Sequence, residues 1–128
     1  MFKKFGKIIV TVRDYDEALD FYVGKLGFVK LIDKEIAPGM RWVSIAPSES
    51  NETVVVFEKA TSETDKKRLG QQFKTMTIDL VTENLDKTYE ELSAKGVEFV
   101  EKPTLAPWGK QAVIKDLYGN IFDIVEEN

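Results

Sequence analysis

The 128-residue sequence contains no cysteine and no histidine. The first absence excludes disulfides, thiolate nucleophiles and zinc–thiolate centres. The second removes the commonest transition-metal ligand and the usual general base near neutral pH. Chemistry is left to carboxylates, Lys, Arg, Tyr, Ser, Thr and the backbone. No apolar run approaches the roughly 18 residues that span a bilayer. The basic start, Met1-Phe2-Lys3-Lys4-Phe5-Gly6, leads into neither an apolar segment nor the small-residue cleavage site of a secretory signal. The expectation is a cytoplasmic protein with no membrane partner. A formal net charge of -4 leaves little basic surface, which argues against a nucleic-acid partner.

What is present suits one globular domain. Hydrophobic residues make up 43% and charged residues 31%, enough apolar material for a core without staples. The chain reads as strand, helix, three strands, and then the same again. Lys7–Val12 alternates as a strand. Asp14 with Glu17 three residues later has capping-box spacing, and Tyr15, Ala18, Leu19, Tyr22 and Leu26 recur at helical spacing up to Gly27. Phe28–Ile32, Arg41–Ile45 and Thr53–Phe57 read as strands, with a turn at Pro38-Gly39. A polar linker, 61–72, carries at most a helical turn. The second set comprises a strand over Phe73–Val81, a helix capped by Asn84 with a Leu85, Tyr89, Leu92 stripe, and strands over Val97–Val100, Gln111–Ile114 and Ile121–Val125.

The two halves match by counting. An offset of 70 carries Val12 onto Thr82, Asp14 onto Asn84, Leu19 onto Tyr89 and Tyr22 onto Leu92, and Gly27 meets Gly96 after one deletion. Repetition at a fixed spacing is an architectural signal. It predicts an α+β fold of two tandem βαβββ modules, 1–60 and 73–128, forming a curved mixed sheet around a cavity.

Several segments carry a resemblance in their order and spacing. They are Ile8–Asp14 running into Ala18-Leu19-Asp20-Phe21-Tyr22, Leu26-Gly27-Phe28, Arg41-Trp42-Val43, Asp86–Leu92, Gly96-Val97-Glu98-Phe99, Pro107-Trp108-Gly109 and Asp116–Asp123. Over nearly its whole length the chain resembles the vicinal-oxygen-chelate superfamily of glyoxalase I, bleomycin-resistance proteins and extradiol dioxygenases. Leu117 stands where that family's tail usually has proline, and the Gly119-Asn120 turn is kept.

The resemblance implies a metal ligand on the first and last strand of each module. Carried across, these positions fall on Lys7 and Thr77, where His is usual, and on Val56 and Asp123, where Glu is usual. Only Asp123 is an ordinary ligand. Val56 has no donor, and an ammonium at Lys7 repels a divalent ion. The resemblance therefore implies the fold without the metal, and no cofactor is expected. It also implies a homodimer.

Strand parity puts Lys7, Ile9, Thr11, Val54, Val56 and Glu58 on one face, with Thr75, Thr77, Asp79 and Asp123 in the second module. Ile8, Val10, Val55, Phe57, Met76, Ile78, Phe122 and Ile124 fall to the core. Lys7 could replace the metal charge and pair with Asp123, as a ligand anchor or as a plain ion pair, or it could stand in solvent near the chain start. Glu58, Asp79 and Asp123 could instead form an oxygen site for Mg or Ca. Trp42 lines the cavity or belongs to the core, and Trp108 is a lid over a flat ligand or a cap on the sheet end. Arg41 has the opposite parity to Trp42 and is expected in solvent or at an interface.

The leading expectation is a binder of a small amphipathic or planar molecule, with Lys7, Ile9, Trp42, Val56, Thr77, Asp79, Trp108 and Asp123 as contacts. The alternatives are a lyase or isomerase, with Asp123 or Glu58 as base and Lys7 stabilising an enolate, or a structural dimer module without ligand.

Overall fold

The computed structural model describes residues 1–75 and 77–127. The chain forms two compact units, Met1–Leu69 and Gly70–Asn128. The first contains β1 (Lys7–Val12), α1 (Tyr15–Leu19) continued by a π-helical turn (Asp20–Lys25), β2 (Val29–Ala37), β3 (Met40–Ala46), β4 (Val54–Lys59) and the short α2 (Glu63–Lys66). The second contains β5 (Asp79–Val81), α3 (Leu85–Ala94), β6 (Phe99–Ala106), β7 (Gly109–Lys115) and β8 (Ile121–Glu127).

The two sheets share one topology. Their strand orders are β1-β4-β3-β2 and β5-β8-β7-β6. The first strand of each lies parallel to the last, and the remaining pairs are antiparallel. This is an α+β chain of two tandem βαβββ modules, each with a four-stranded mixed sheet. No helix among the described residues is long and apolar enough to cross a membrane.

The caps follow from the sequence. Asp14 accepts a hydrogen bond from the Glu17 backbone N at 2.8 Å, and Asn84 Oδ1 accepts from Lys87 N at 3.0 Å. Ser62 and Asp65 form a reciprocal capping box on α2. After α1 the chain widens, and the Leu26 N–H reaches back five residues to the Phe21 carbonyl at 3.0 Å. Phe21 and Tyr22, adjacent in this widened turn, are both buried. Tyr22 then meets Phe28 and Phe57 at 5.6 Å between ring centroids in both cases.

Three strands depart from their expected limits. β2 runs on to Ala37 because Ala37 pairs with Met40 across the Pro38-Gly39 turn. β6 continues past Pro103, which an edge strand tolerates because one row of its N–H groups needs no partner, and the register shifts between Glu101 and Thr104. β5 is shorter than Phe73–Val81. Upstream of it the Ile121 and Asp123 N–H groups of β8 still donate to the Phe73 and Ile78 carbonyls at 2.6 and 3.0 Å, the Phe73 N–H donates to Asn120 Oδ1, and Thr77 Oγ1 donates to the Thr75 carbonyl. Met76, expected in the core, lies outside the described residues.

Side chains of one parity fill the cores. Val10, Val12, Val43, Ile45 and Phe57 are buried in the first unit, and Ala112, Ile114, Phe122, Ile124, Leu85 and Leu92 in the second. The opposite parity is left to form each sheet's other face.

Candidate functional site

In the first unit that other face carries a cleft. Register places Lys7 beside Val54, Ile9 beside Val56, and Val56 beside Ser44. Trp42 is two residues from Ser44 and shares its face. A cavity of about 360 Å³ is bordered by Lys7, Ile9, Ile36, Met40, Trp42 and Val56, among others. Ile9, Ile36 and Met40 are exposed hydrophobic residues on its wall. The sequence therefore locates four residues that the structure brings together: Lys7, Ile9, Trp42 and Val56.

The Lys7 ammonium stands 4.5 Å from the centre of the Trp42 ring. A cation over an indole face is held by the ring quadrupole. Glu58 also borders the cleft, and its carboxylate is 3.5 Å from the Arg68 guanidinium.

Arg41 also borders the cleft, but its side chain, of opposite parity to Trp42, runs to the helix side, to Asp16 and Tyr15 of α1. It is the second residue of β3, next to the hairpin turn. Its guanidinium bonds Asp33 at 2.8 and 3.1 Å and Asp16 at 3.0 Å, with its carbon 5.1 Å from the Tyr15 ring centre. The hydrogen bond from Arg41 is the main cause that holds the Asp33 carboxyl below its usual pKa. Arg41 thus ties α1 to β2. Tyr15, Ile36 and Met40 were not singled out from the sequence. Met40 has the parity of Trp42, which was the available signal; Tyr15 reads as an ordinary member of a helical stripe.

In the second unit the corresponding face carries acid. Asp79, Asp123, Val113 and Glu101 lie opposite one another across β5, β8, β7 and β6, forming one rung of the sheet. Asp123 is only 8% exposed. Its Oδ1 is buried without a hydrogen-bond partner among the described residues. Burial, then the neighbouring Asp79 carboxylate, push its pKa up to about 6. Thr77 is exposed. Trp108 is 57% exposed in the β6–β7 turn, and its Nε1 donates to Gln111 Oε1 at 3.0 Å. Gln111 has the parity of Val113, so the indole is moored to the acidic face.

The pair expected between Lys7 and Asp123 joins residues of different units. Within its own unit, Lys7 has Trp42 as its neighbour and Asp123 has Asp79. The oxygen site expected from Glu58, Asp79 and Asp123 does not form: no three acidic side chains among the described residues are placed to hold an ion. Glu58 is close to Arg68 instead.

A model of the glyoxalase/bleomycin resistance protein/dioxygenase superfamily matches residues 4–124. The chain belongs to that superfamily. Among relatives, YetH of Bacillus subtilis (strain 168) is 30% identical over 126 residues, covering 98% of this chain and all of YetH. Among solved structures, UcmS2 matches with a TM-score of 0.86 at 30% identity, over 99% of this chain and 100% of that one. TnmS3, an antibiotic-binding protein from Streptomyces sp. CB03234, matches with a TM-score of 0.79 at 26% identity, covering 99% and 98%.

The superfamily includes metal-dependent enzymes, and this member's residues do not fit a metal. At the four positions where the resemblance implies ligands stand an ammonium, an isopropyl group, a hydroxyl donating to a neighbouring carbonyl, and one carboxylate. One ordinary donor of the four does not grip a transition ion.

Proposed function

We propose that this superfamily member binds a small planar or amphipathic molecule without a metal, and that the first unit's cleft is where the molecule sits. The observation that carries the reading is an apolar wall left open to solvent, with one indole and one ammonium set into it. Ligand sites are typically concave and apolar with a few polar groups that fix orientation. Ile9, Ile36, Met40 and Val56 supply the wall. Trp42 offers a stacking face, which Lys7 covers until a flat ligand displaces it. The freed ammonium then pairs with an oxygen of the ligand. The likeness to an antibiotic-binding protein supports the same reading.

The test is a thermal-shift screen of planar aromatic compounds, followed by calorimetry on the hits. A ligand at 100 times its Kd stabilises the folded state by about 2.7 kcal/mol, an easily measured rise in Tm. Trp42→Ala is expected to weaken a hit at least tenfold. A panel with no hit, or hits indifferent to Trp42→Ala, refutes the assignment. Size-exclusion chromatography in the same series tests the homodimer that we infer from the family.

One observation favours a second reading, acid–base catalysis. A carboxyl with a pKa near 6 can both give and take a proton near neutrality, and Asp123 has one. Turnover of the glutathione–methylglyoxal adduct, lost in Asp123→Asn, would favour catalysis over binding alone.

A further inference from the structure

The orphaned oxygen of Asp123 points to a second contact, on the other unit's sheet. A buried carboxylate oxygen without a donor is costly, because desolvation is not repaid by a hydrogen bond. The fold compounds the cost. Asp79 stands directly opposite Asp123, and like charges facing each other across a strand pair repel. Glu101 closes the same rung two strands away. The basic residues of β7 are engaged elsewhere, Lys110 with Asp86 at 2.9 Å and Lys115 with Glu98 at 3.4 Å. The rung is therefore a negatively charged strip whose most buried acid, Asp123, keeps one oxygen, Oδ1, without a donor among the described residues.

We propose that Asp123, backed by Asp79, is the docking point for a protonated nitrogen, an ammonium or amidinium group carried by an organic ligand. The acceptor geometry favours an N–H donor over a metal. No three acids among the described residues are placed to hold an ion, and Glu101 stands two strands away from Asp123. A nitrogen cation needs only one carboxylate for a charge-assisted bond, and it relieves the Asp79–Asp123 repulsion at the same time. Trp108, held by Gln111 on the same face, presents an exposed aromatic surface to the body of such a ligand. The inference concerns the second unit and stands whether or not the first unit's cleft is occupied.

Three probes of similar shape separate the possibilities: 9-aminoacridine, cationic at pH 8; acridine, neutral there; and acridine-9-carboxylate, anionic. Binding is followed by calorimetry, with EDTA present and absent. The cation is expected to bind at least tenfold more tightly than the neutral ring, with the anion weakest and EDTA without effect. Asp123→Asn is expected to remove the preference for the cation while leaving the neutral ring's affinity unchanged. Asp79→Asn is expected to reduce the preference in part. Equal affinity for the three probes, no binding of any, a cation preference that survives Asp123→Asn, or binding abolished by EDTA would each overturn the proposal. Failure here leaves the first unit's Trp42-dependent hits standing, so the two readings fail separately.

Discussion

Asp123 shows how one residue's surroundings set its chemistry. The same carboxylate in water has a pKa of about 3.9, and here burial and Asp79 raise it to about 6. The folded state therefore holds a proton that the unfolded state has already released, between about pH 4 and pH 6. Below that window the carboxyl is neutral in both states and the site costs nothing. As pH rises through the window the unfolded chain is progressively favoured, and above about pH 6 the full penalty is present. A shift of about two units sets an upper bound near 3 kcal/mol, at about 1.4 kcal/mol per unit. Asp123→Asn keeps the shape and removes the charge. It is expected to stabilise the protein by roughly 1–3 kcal/mol at pH 7.5 and to give no gain at pH 4. Urea unfolding of both proteins across that range measures the difference, and a gain independent of pH would show that the charge is not its source. The sequence carried the position of Asp123 by parity and family motif. Asp79 was legible beside it by the same parity; Glu101 was not, because it joins the rung only through the pairing of β6, β7 and β8.

At the scale of elements, the Asp116–Asn120 turn explains how β7 is delivered to β8. Asp116 Oδ1 accepts from the backbone N–H groups of Tyr118 and Asn120 at 2.9 and 2.8 Å, and Oδ2 accepts from Asn120 Nδ2 at 2.8 Å. Asn120 is fully buried, and its Oδ1 accepts in turn from Phe73 N. Gly70 packs against the same turn at φ +71°, where an added Cβ would lie 1.9 Å from the Tyr118 carbonyl oxygen. Neither the backbone conformation nor the space admits a side chain there. Asn120→Ala is expected to cost about 2–4 kcal/mol, by leaving buried donors and acceptors unpaired. Gly70→Ala is expected to cost at least as much as a typical strained substitution, about 1–3 kcal/mol. Thermal melts followed by circular dichroism report both, and a melt within a degree of wild type for either would refute the account. The turn was legible through Gly119-Asn120, but Gly70 read as part of a plain polar linker. A glycine demanded by a distant carbonyl looks like any other until the chain is folded. The helix caps at Asp14 and Asn84 were legible because capping bonds span three residues. The π-helical turn was not, because the Phe21–Tyr22 burial that accompanies it depends on packing against Phe28 and Phe57.

Across the whole molecule, the offset that aligns Asp14 with Asn84 also aligns two sheets of the same strand order. The repeat was legible because each module must satisfy the same local rules of cap, stripe and alternating strand. What the repeat does not preserve is the chemistry on the faces opposite the cores. Lys7 matches Thr77, and Val56 matches Asp123, so one face carries a cation on an apolar wall and the other a strip of acids. This has a direct consequence for metal dependence. A member of the superfamily that kept its ion would lose stability on chelation, since binding energy at such sites is also folding energy. For this chain, dialysis against EDTA is expected to leave the melting temperature within about a degree, and elemental analysis before dialysis is expected to find less than about a tenth of an equivalent of Mn, Fe, Ni or Zn. Stoichiometric metal in the wild type, released by EDTA with a fall in Tm, would mean that the residues at Lys7, Val56 and Thr77 are not what decides the matter and that metal-free binding must be given up.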